Sequence, residues 1–243
     1  MGLYVMLLGV QGAGKGEQAK FIEQQYGIPQ VSTGDLMRAM KTRTDPLAVR
    51  VQETMAAGKL VDDDTTNEIL VERLSKPDAQ NGVILDGYPR NTAQADFLET
   101  HLAQKGEHLS AVLFLELDLY TAFKRAFGRV KTKPSADKGE EVYNIYTTPD
   151  ALDVSVEKDP GALYPPRIVA KLKTTGEELV RRADDANAGS VIERIETFLE
   201  TTMPLIAHYR AKGLLKTVDA HKSIEAVSAD IAAILDQAKA AQR

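Results

Sequence analysis

The stretch YVMLLGVQGAGKGEQAK, residues 4–20, decides how the rest of the chain is read. Its first part is a short apolar run of the kind buried on both faces of a parallel sheet, and from Lys15 onward it reads as a helix. Between the two, Gly9, Gly14 and Lys15 satisfy G-x-x-x-x-G-K, in the strand-then-helix setting that gives this pattern its meaning. Glycines let consecutive backbone N–H groups converge on phosphate oxygens. The helix start adds the positive end of its dipole, and Lys15 adds a mobile full charge. Gly12, Ala13, Gly14, Lys15 and Gly16 are therefore candidate contacts of a phosphate cradle.

Working outward, four more apolar runs bounded by turn residues read as buried strands: IPQVS (28–32), GVILDG (82–87), AVLFLEL (111–117) and LLKTVDA (214–220). Helical stretches lie between them, such as KGEQAKFIEQQYG (15–27) and NTAQADFLETHLAQKG (91–106). This alternation predicts an α/β three-layer sandwich around a five-stranded parallel sheet. In such sheets ligands bind beyond the C-terminal strand ends, where the loops at 9–16 and 86–90 fall. Two segments interrupt the pattern and read as insertions. Residues 33–61 are helical with no strand; residues 130–176 are rich in Lys, Pro, Asp and Gly and have no clear period. Within the second, VYNIYTT (142–148) points to a small β-rich subdomain. Helical pattern is expected again over 176–212 and 223–240.

Composition narrows the function classes. The chain has 243 residues, 43% hydrophobic and 27% charged, and no apolar run long enough for a bilayer, so no membrane partner is expected. A formal charge of -5 argues against a nucleic-acid partner. The absence of cysteine removes disulfides, thiolate nucleophiles and thiolate metal sites together. The start MGLYVMLLG lacks the basic flank and cleavage site of a signal peptide, and a cytoplasmic location is the expectation.

Gly16 follows Lys15 where a general phosphate-binding loop carries Ser or Thr. With that departure, GVQGAGKGEQ (9–18), STGDLMR (32–38), AAGKLV (56–61) and LDGYPRNTAQAD (85–96) make the chain resemble the adenylate kinases, P-loop enzymes of the nucleoside monophosphate kinase group. Their loop reads GxPGxGKGTQ, and their other signatures are STGD and DG[FY]PR. The resemblance implies a P-loop core domain at 1–31, 62–128 and 186–243, a helical NMP-binding insertion at 32–61 and a lid insertion at 129–185. It implies phosphoryl transfer between ATP, AMP and ADP with Mg2+, by a protein that is usually a monomer. Without cysteine, the lid is not expected to hold a structural zinc.

Carried over position by position, the resemblance places Thr33, Arg38, Lys59, Leu60, Val61, Gly87, Tyr88, Pro89, Arg90 and Gln94 around the acceptor nucleotide, with Gln94 reading the base edge from an exposed helix. KRAFGRV (124–130) supplies Arg125 for the ATP base and Arg129 for phosphate. TGEELVRRADD and VIERIETF supply Arg182 and Arg194, against both nucleotides. Val142, Tyr143 and Lys222 resemble ATP-contacting positions. Read directly, Asp86 ends an apolar run where such an enzyme holds magnesium through water, or is a turn-forming Asp before Gly87. Arg90, on a loop stiffened by Pro89, suits bidentate phosphate binding, or forms a surface ion pair.

Glu17 stands where the family has Thr. Its carboxylate would repel phosphate oxygens at close range, or turn outward toward Lys20 at the favourable end of the helix dipole, or ligate magnesium itself. Gln11, in place of the family's proline, is expected to loosen the loop slightly. Beside adenylate kinase activity, two alternatives stay open at this point: a kinase for UMP/CMP or GMP, and an ATP-binding sensor or scaffold impaired by Glu17.

Overall fold

The computed structural model describes residues 1–57, 61–133, 140–157, 167–182, 185 and 187–241. The acceptor candidates Lys59 and Leu60 lie outside the described residues. The chain divides into two compact units, one formed by Met1–Gly9, Gly14–Glu116 and Phe198–Arg243, the other by Val10–Ala13 and Leu117–Thr197.

The first unit is built on β1 (Leu3–Leu8), which is buried along its whole length. After α1 (Lys15–Tyr26) come β2 (Gln30–Ser32), α2 (Thr33–Met40), α3 (Pro46–Ala56), α4 (Asp63–Leu74), β3 (Gly82–Asp86), α5 (Thr92–Gln104) and β4 (Leu109–Glu116). The expected five-stranded sheet forms, entirely parallel; the fifth strand lies C-terminal to the second unit, and the order is β2-β3-β1-β4 followed by Leu215–Asp219. Because side chains alternate across a strand, Tyr4, Met6 and Leu8 of β1 share one core with Leu98 and Leu102 of α5 and with Leu205, Ile206 and Tyr209. Val5 and Leu7 point the other way, toward the face that α1 covers, and are equally buried. The result is the three-layer α/β sandwich.

The helical segment has its own small core, in which Met40, Ala48 and Val51 close on Ile69 of α4. Leu70 and Leu74 of the same helix belong to the sheet core, so α4 is a wall shared by both. Helix starts are fixed locally: Ser32, Asp45, Asp62 and Asn91 each accept a hydrogen bond from the backbone N–H three residues on, and Pro46 sits in the first turn of α3.

The second unit contains α6 (Leu119–Phe127), β5 (Arg129–Lys131), β6 (Val142–Asn144), β7 (Leu152–Glu157), β8 (Arg167–Leu172) and α7 (Ala188–Thr197). Its strands form two antiparallel pairs, β5 with β6 and β7 with β8, around Val130, Leu152, Ala170, Leu172 and Leu179. Here the sequence expectation needs correction. Residues 176–180 are not helical: Glu178 bridges to Lys171 and Val180 to Lys131, which turns Leu179 into the core. Leu179 alone of Glu178, Leu179 and Val180 is fully buried, as an extended segment crossing the edge of a small core allows, and α7 begins at Ala188.

The chain then returns to the first unit through a π-helical turn at Phe198–Thr202, α8 (Met203–Ala211), β9 (Leu215–Asp219) and α9 (Ile224–Ala241). Pro204 has no N–H to give the carbonyl four residues back, a local reason for the helix to change register there. β9 departs from the two-face burial expected of LLKTVDA, because it is the sheet edge: Val218 is buried while Lys216 and Thr217 are exposed. α1 and α9 are tied by buried Gln18, whose Nε2 donates to the Ile224 carbonyl while its Oε1 accepts from Ser228. No described helix is long and apolar enough to cross a membrane.

Leu98 is fully buried between α5 and the sheet. Leu98→Ala is expected to cost about 2–5 kcal/mol in chemical denaturation, the range for a large apolar side chain deleted from a packed core.

Candidate active site

β1 and β3 pair in parallel with Leu7 opposite Asp86, so both strands end at the same edge of the sheet. Past β1 the chain turns tightly, Ala13 N–H bonding the Val10 carbonyl, and α1 starts at Gly14 without a side-chain cap. The first N–H groups of a helix have no carbonyl partner within it, which makes a helix start such as that of α1 suited to an anion. Two glycines are required for geometry. Gly14 takes a left-handed φ of 93°, and a Cβ on Gly12 would lie 2.7 Å from the Ala122 carbonyl oxygen of α6. Lys15 Nζ bends back to donate to the Gly9 carbonyl at 2.7 Å.

Glu17 takes the second of its three readings. Its carboxylate accepts from Lys20 Nζ at 3.2 Å along the outer face of α1, both groups well exposed. A pair this exposed is worth about 0–1 kcal/mol. Gln11, expected to loosen the turn, is itself anchored: its Nε2 donates to the Val191 carbonyl of α7 at 2.9 Å.

At the end of β3, Asp86 is half-buried, and Gln30 Nε2 donates to its Oδ2 at 2.9 Å. The turn that follows is held from several sides. Thr33, buried at the start of α2, donates its hydroxyl to the Gly87 carbonyl at 2.8 Å, and Arg90 Nε reaches the same carbonyl at 3.1 Å. The Tyr88–Pro89 peptide is cis. Tyr88 is buried and bonds Asn67 Oδ1 of α4 at 2.5 Å; burial, and then the charge of Asp63, push its hydroxyl pKa well up. Arg90 stands exposed at the tip. Arg38 projects from α2 in an exposed ion pair with Asp35, and Val61 packs against the helical core.

Gln94, near the start of α5, is held from two sides. It is only 3% exposed, its Oε1 accepting from the Arg90 N–H at 2.8 Å and its Nε2 donating to Asp63 Oδ1 at 2.6 Å. On the loop after β9, exposed Lys222 is paired with Asp230 at 2.7 Å, which raises its pKa.

In the second unit one carboxylate organises the arginines. Asp185 is completely buried; its Oδ2 accepts from Arg129 Nε at 2.9 Å and Nη2 at 2.5 Å, and its Oδ1 accepts from Arg194 Nη1 at 2.7 Å. Two of the four lid arginines singled out in the sequence thus bring their guanidinium groups to this carboxylate, and a third, Arg182, meets Asp185 through the backbone, its carbonyl receiving the Asp185 N–H at 3.0 Å. The fourth, Arg125, is half-buried on α6, its carbonyl bonded by Asn144 Nδ2 at 2.9 Å. Arg181 is structural: its guanidinium lies 4.5 Å over the Phe127 ring and bonds the Phe127 carbonyl, and burial lowers its pKa. Val142 is exposed on β6, and Tyr143 donates to Glu141 at 2.6 Å, which raises the Tyr143 pKa.

Sequence reasoning missed Asp185, Asp63 and Gln30, each a polar partner of a residue it did select. For Asp185 a signal existed: an acid shortly after Arg182, in a segment shared with Arg194. Among the described residues no cluster of three His, Cys, Asp or Glu side chains has the arrangement of a metal cage. A magnesium ion that travels with nucleotide phosphates needs no such cage, since waters and phosphate oxygens fill most of its coordination shell. A single strand-end carboxylate such as Asp86 fits that demand.

Residues 7–214 match the family model described as adenylate kinase. The chain is similar to an adenylate kinase of Thermoanaerobacter sp., 39% identical over 227 residues that cover 93% of this chain and 95% of that protein. It is 38% identical to one from Rhizobium rhizogenes over 233 residues, 96% and 99% of the two chains, and 37% identical to one from Moorella thermoacetica over 223 residues, 92% and 93%.

Replacing Asp185 by Asn leaves the shape but removes the charge facing two guanidinium groups. Because both arginines are partly open to solvent, the expected loss is about 1–3 kcal/mol, below that of breaking a fully enclosed pair. Hydrogen exchange should show it as faster exchange within residues 129–131 and 178–182, with the sheet core unchanged.

Proposed function

The chain belongs to the adenylate kinase family, and from that premise we propose that it catalyses MgATP + AMP ⇌ 2 ADP by direct in-line transfer. An oxygen of the AMP phosphate attacks the γ-phosphorus of ATP; that P–O bond forms as the bond to the bridging oxygen breaks, and ADP leaves. The observation that carries the reading is that β1, which leads to the start of α1 with Lys15 bonded back to Gly9, and β3, which leads to the Asp86–Arg90 turn, end together at one end of the sheet. The protein need supply no nucleophile. Its work is to align two phosphates and spread positive charge over the transferring group.

In this reading Gly12, Ala13, Gly14, Lys15 and Gly16 hold the ATP phosphates. Arg90 and Arg38 hold the AMP phosphate beside Thr33, Lys59, Leu60 and Val61, and Arg129, Arg182 and Arg194 balance the charge of the transferring phosphoryl group. Arg125, Val142, Tyr143 and Lys222 attend the ATP base. Magnesium bound with ATP would neutralise phosphate charge, and Asp86 would hold it through water. The functional boundaries proposed are 1–31, 62–128 and 186–243 for the core, 32–61 for the acceptor insertion and 129–185 for the lid. The enzyme is proposed to work as a cytoplasmic monomer. The outward carboxylate of Glu17 supports an active cradle over an impaired one.

Coupled assays of ADP formation from MgATP with AMP, CMP, UMP and GMP test the proposal. Fast turnover with AMP alone is expected, and Glu17→Thr should change kcat by less than about threefold, as befits the loss of a surface pair. Lys15→Met should lower kcat by at least about 10²-fold with the circular dichroism spectrum unchanged. Near-normal turnover in Lys15→Met would overturn the assignment.

A further inference from the structure

Arg90 stands at the exposed tip of its turn, yet the turn is braced from beneath by α4. Asp63, in the first turn of α4, accepts from Gln94 Nε2 through Oδ1 at 2.6 Å and from Asn91 Nδ2 through Oδ2 at 2.9 Å. Asn91 Oδ1 caps α5 by accepting the Gln94 N–H at 2.8 Å, and Gln94 Oε1 accepts the Arg90 N–H at 2.8 Å. The three side chains close a ring whose free end grips the Arg90 backbone. Four residues further along α4, on the same helix face, Asn67 Oδ1 accepts the Tyr88 hydroxyl.

The chemistry of the ring leaves it one arrangement. A backbone N–H meets only the oxygen end of the Gln94 amide, and a carboxylate meets only nitrogen ends, so both amides are fixed against flipping. An amide in place of Asp63 would turn an NH2 group toward one of the two NH2 donors. Gln94 is almost wholly buried with both ends of its amide bonded within the protein, which marks it as part of the turn's support. α4 also begins directly after the helical segment that opens at Thr33, and Thr33 holds the same turn from the other side.

We propose that Asp63 is a positioning residue for the acceptor phosphate: through Asn91 and Gln94 it fixes the backbone at Arg90 and so aims that guanidinium. The inference rests on the adenylate kinase reading for its substrate. Its geometry is tested without turnover.

The experiment compares the native protein with Asp63→Asn and with Asp64→Asn, a control that makes the same charge change one residue on, at an exposed position in the same helical turn. In Asp63→Asn, KM for AMP should rise about tenfold, while KM for ATP and kcat stay within about threefold and GMP gains no turnover. Hydrogen exchange at the Arg90 amide should quicken at least tenfold. Asp64→Asn should match the native protein in every readout. Unchanged exchange at Arg90 overturns the inference whether or not AMP is turned over. An unchanged KM for AMP in an active enzyme overturns it while leaving the proposed reaction standing, and a variant that begins to accept GMP overturns it in favour of direct base reading. Equal losses for ATP and AMP, with a lower melting temperature, would reduce Asp63 to a structural role.

Discussion

The parallel pairing of β1 with β3 is the constraint on which the rest of the first unit depends. Parallel strands end together, and the register that sets Leu7 against Asp86 brings the phosphate turn and the Asp86–Arg90 turn out at one edge. Such a sheet needs cover on both faces, since its strands are apolar on each side. α1 and α9 on one face, and α5 and α8 on the other, supply it. The same demand accounts for Gln18: a buried amide is tolerated on α1 because both its ends are bonded to α9.

The two turns proposed to meet phosphate are built by different means. After β1 the backbone provides the donors, which requires Gly14 in a left-handed conformation and no side chain on Gly12 where the turn meets α6. After β3 the donors are side chains, and they need partners to hold them. The hydroxyl of Thr33, the amide of Gln94 and the helix α4 perform that task for Arg90. Asp185 does the equivalent for Arg129 and Arg194 in the second unit, where like charges would otherwise repel one another. In both units, arginines proposed to meet phosphate are tied to a buried polar side chain: Arg90 through its backbone to Gln94, and Arg129 and Arg194 through their guanidinium groups to Asp185.

Much of the fold was legible in the chain because its signals are local. All five sheet strands are short apolar runs bounded by turn residues, and α1 and α5 end near the glycines that closed them in the reading. The misreadings have a common cause in non-local pairing. Residues 176–180 have no strand-like run of their own and are extended only because Lys131 and Lys171 bridge to them. β9 looked fully buried because its composition does not reveal that it is the edge. At the site, residues that would touch phosphate were visible as motifs, whereas Asp63 and Asp185, whose carboxylates bond other side chains, lie in ordinary acidic stretches. Gln94 was placed on the right helix, while its burial was not legible there, because its partner Asp63 lies on α4, thirty-one residues earlier in the chain.

The enzyme is proposed to align two nucleotides and to contribute no covalent partner of its own. The most direct test is the stereochemical course of transfer, followed with ATP made chiral at the γ-phosphorus by sulfur and oxygen isotopes and with AMP as acceptor. A single in-line displacement predicts inversion of configuration at phosphorus. Retention would mean two displacements through a phosphorylated protein side chain, and would contradict the account.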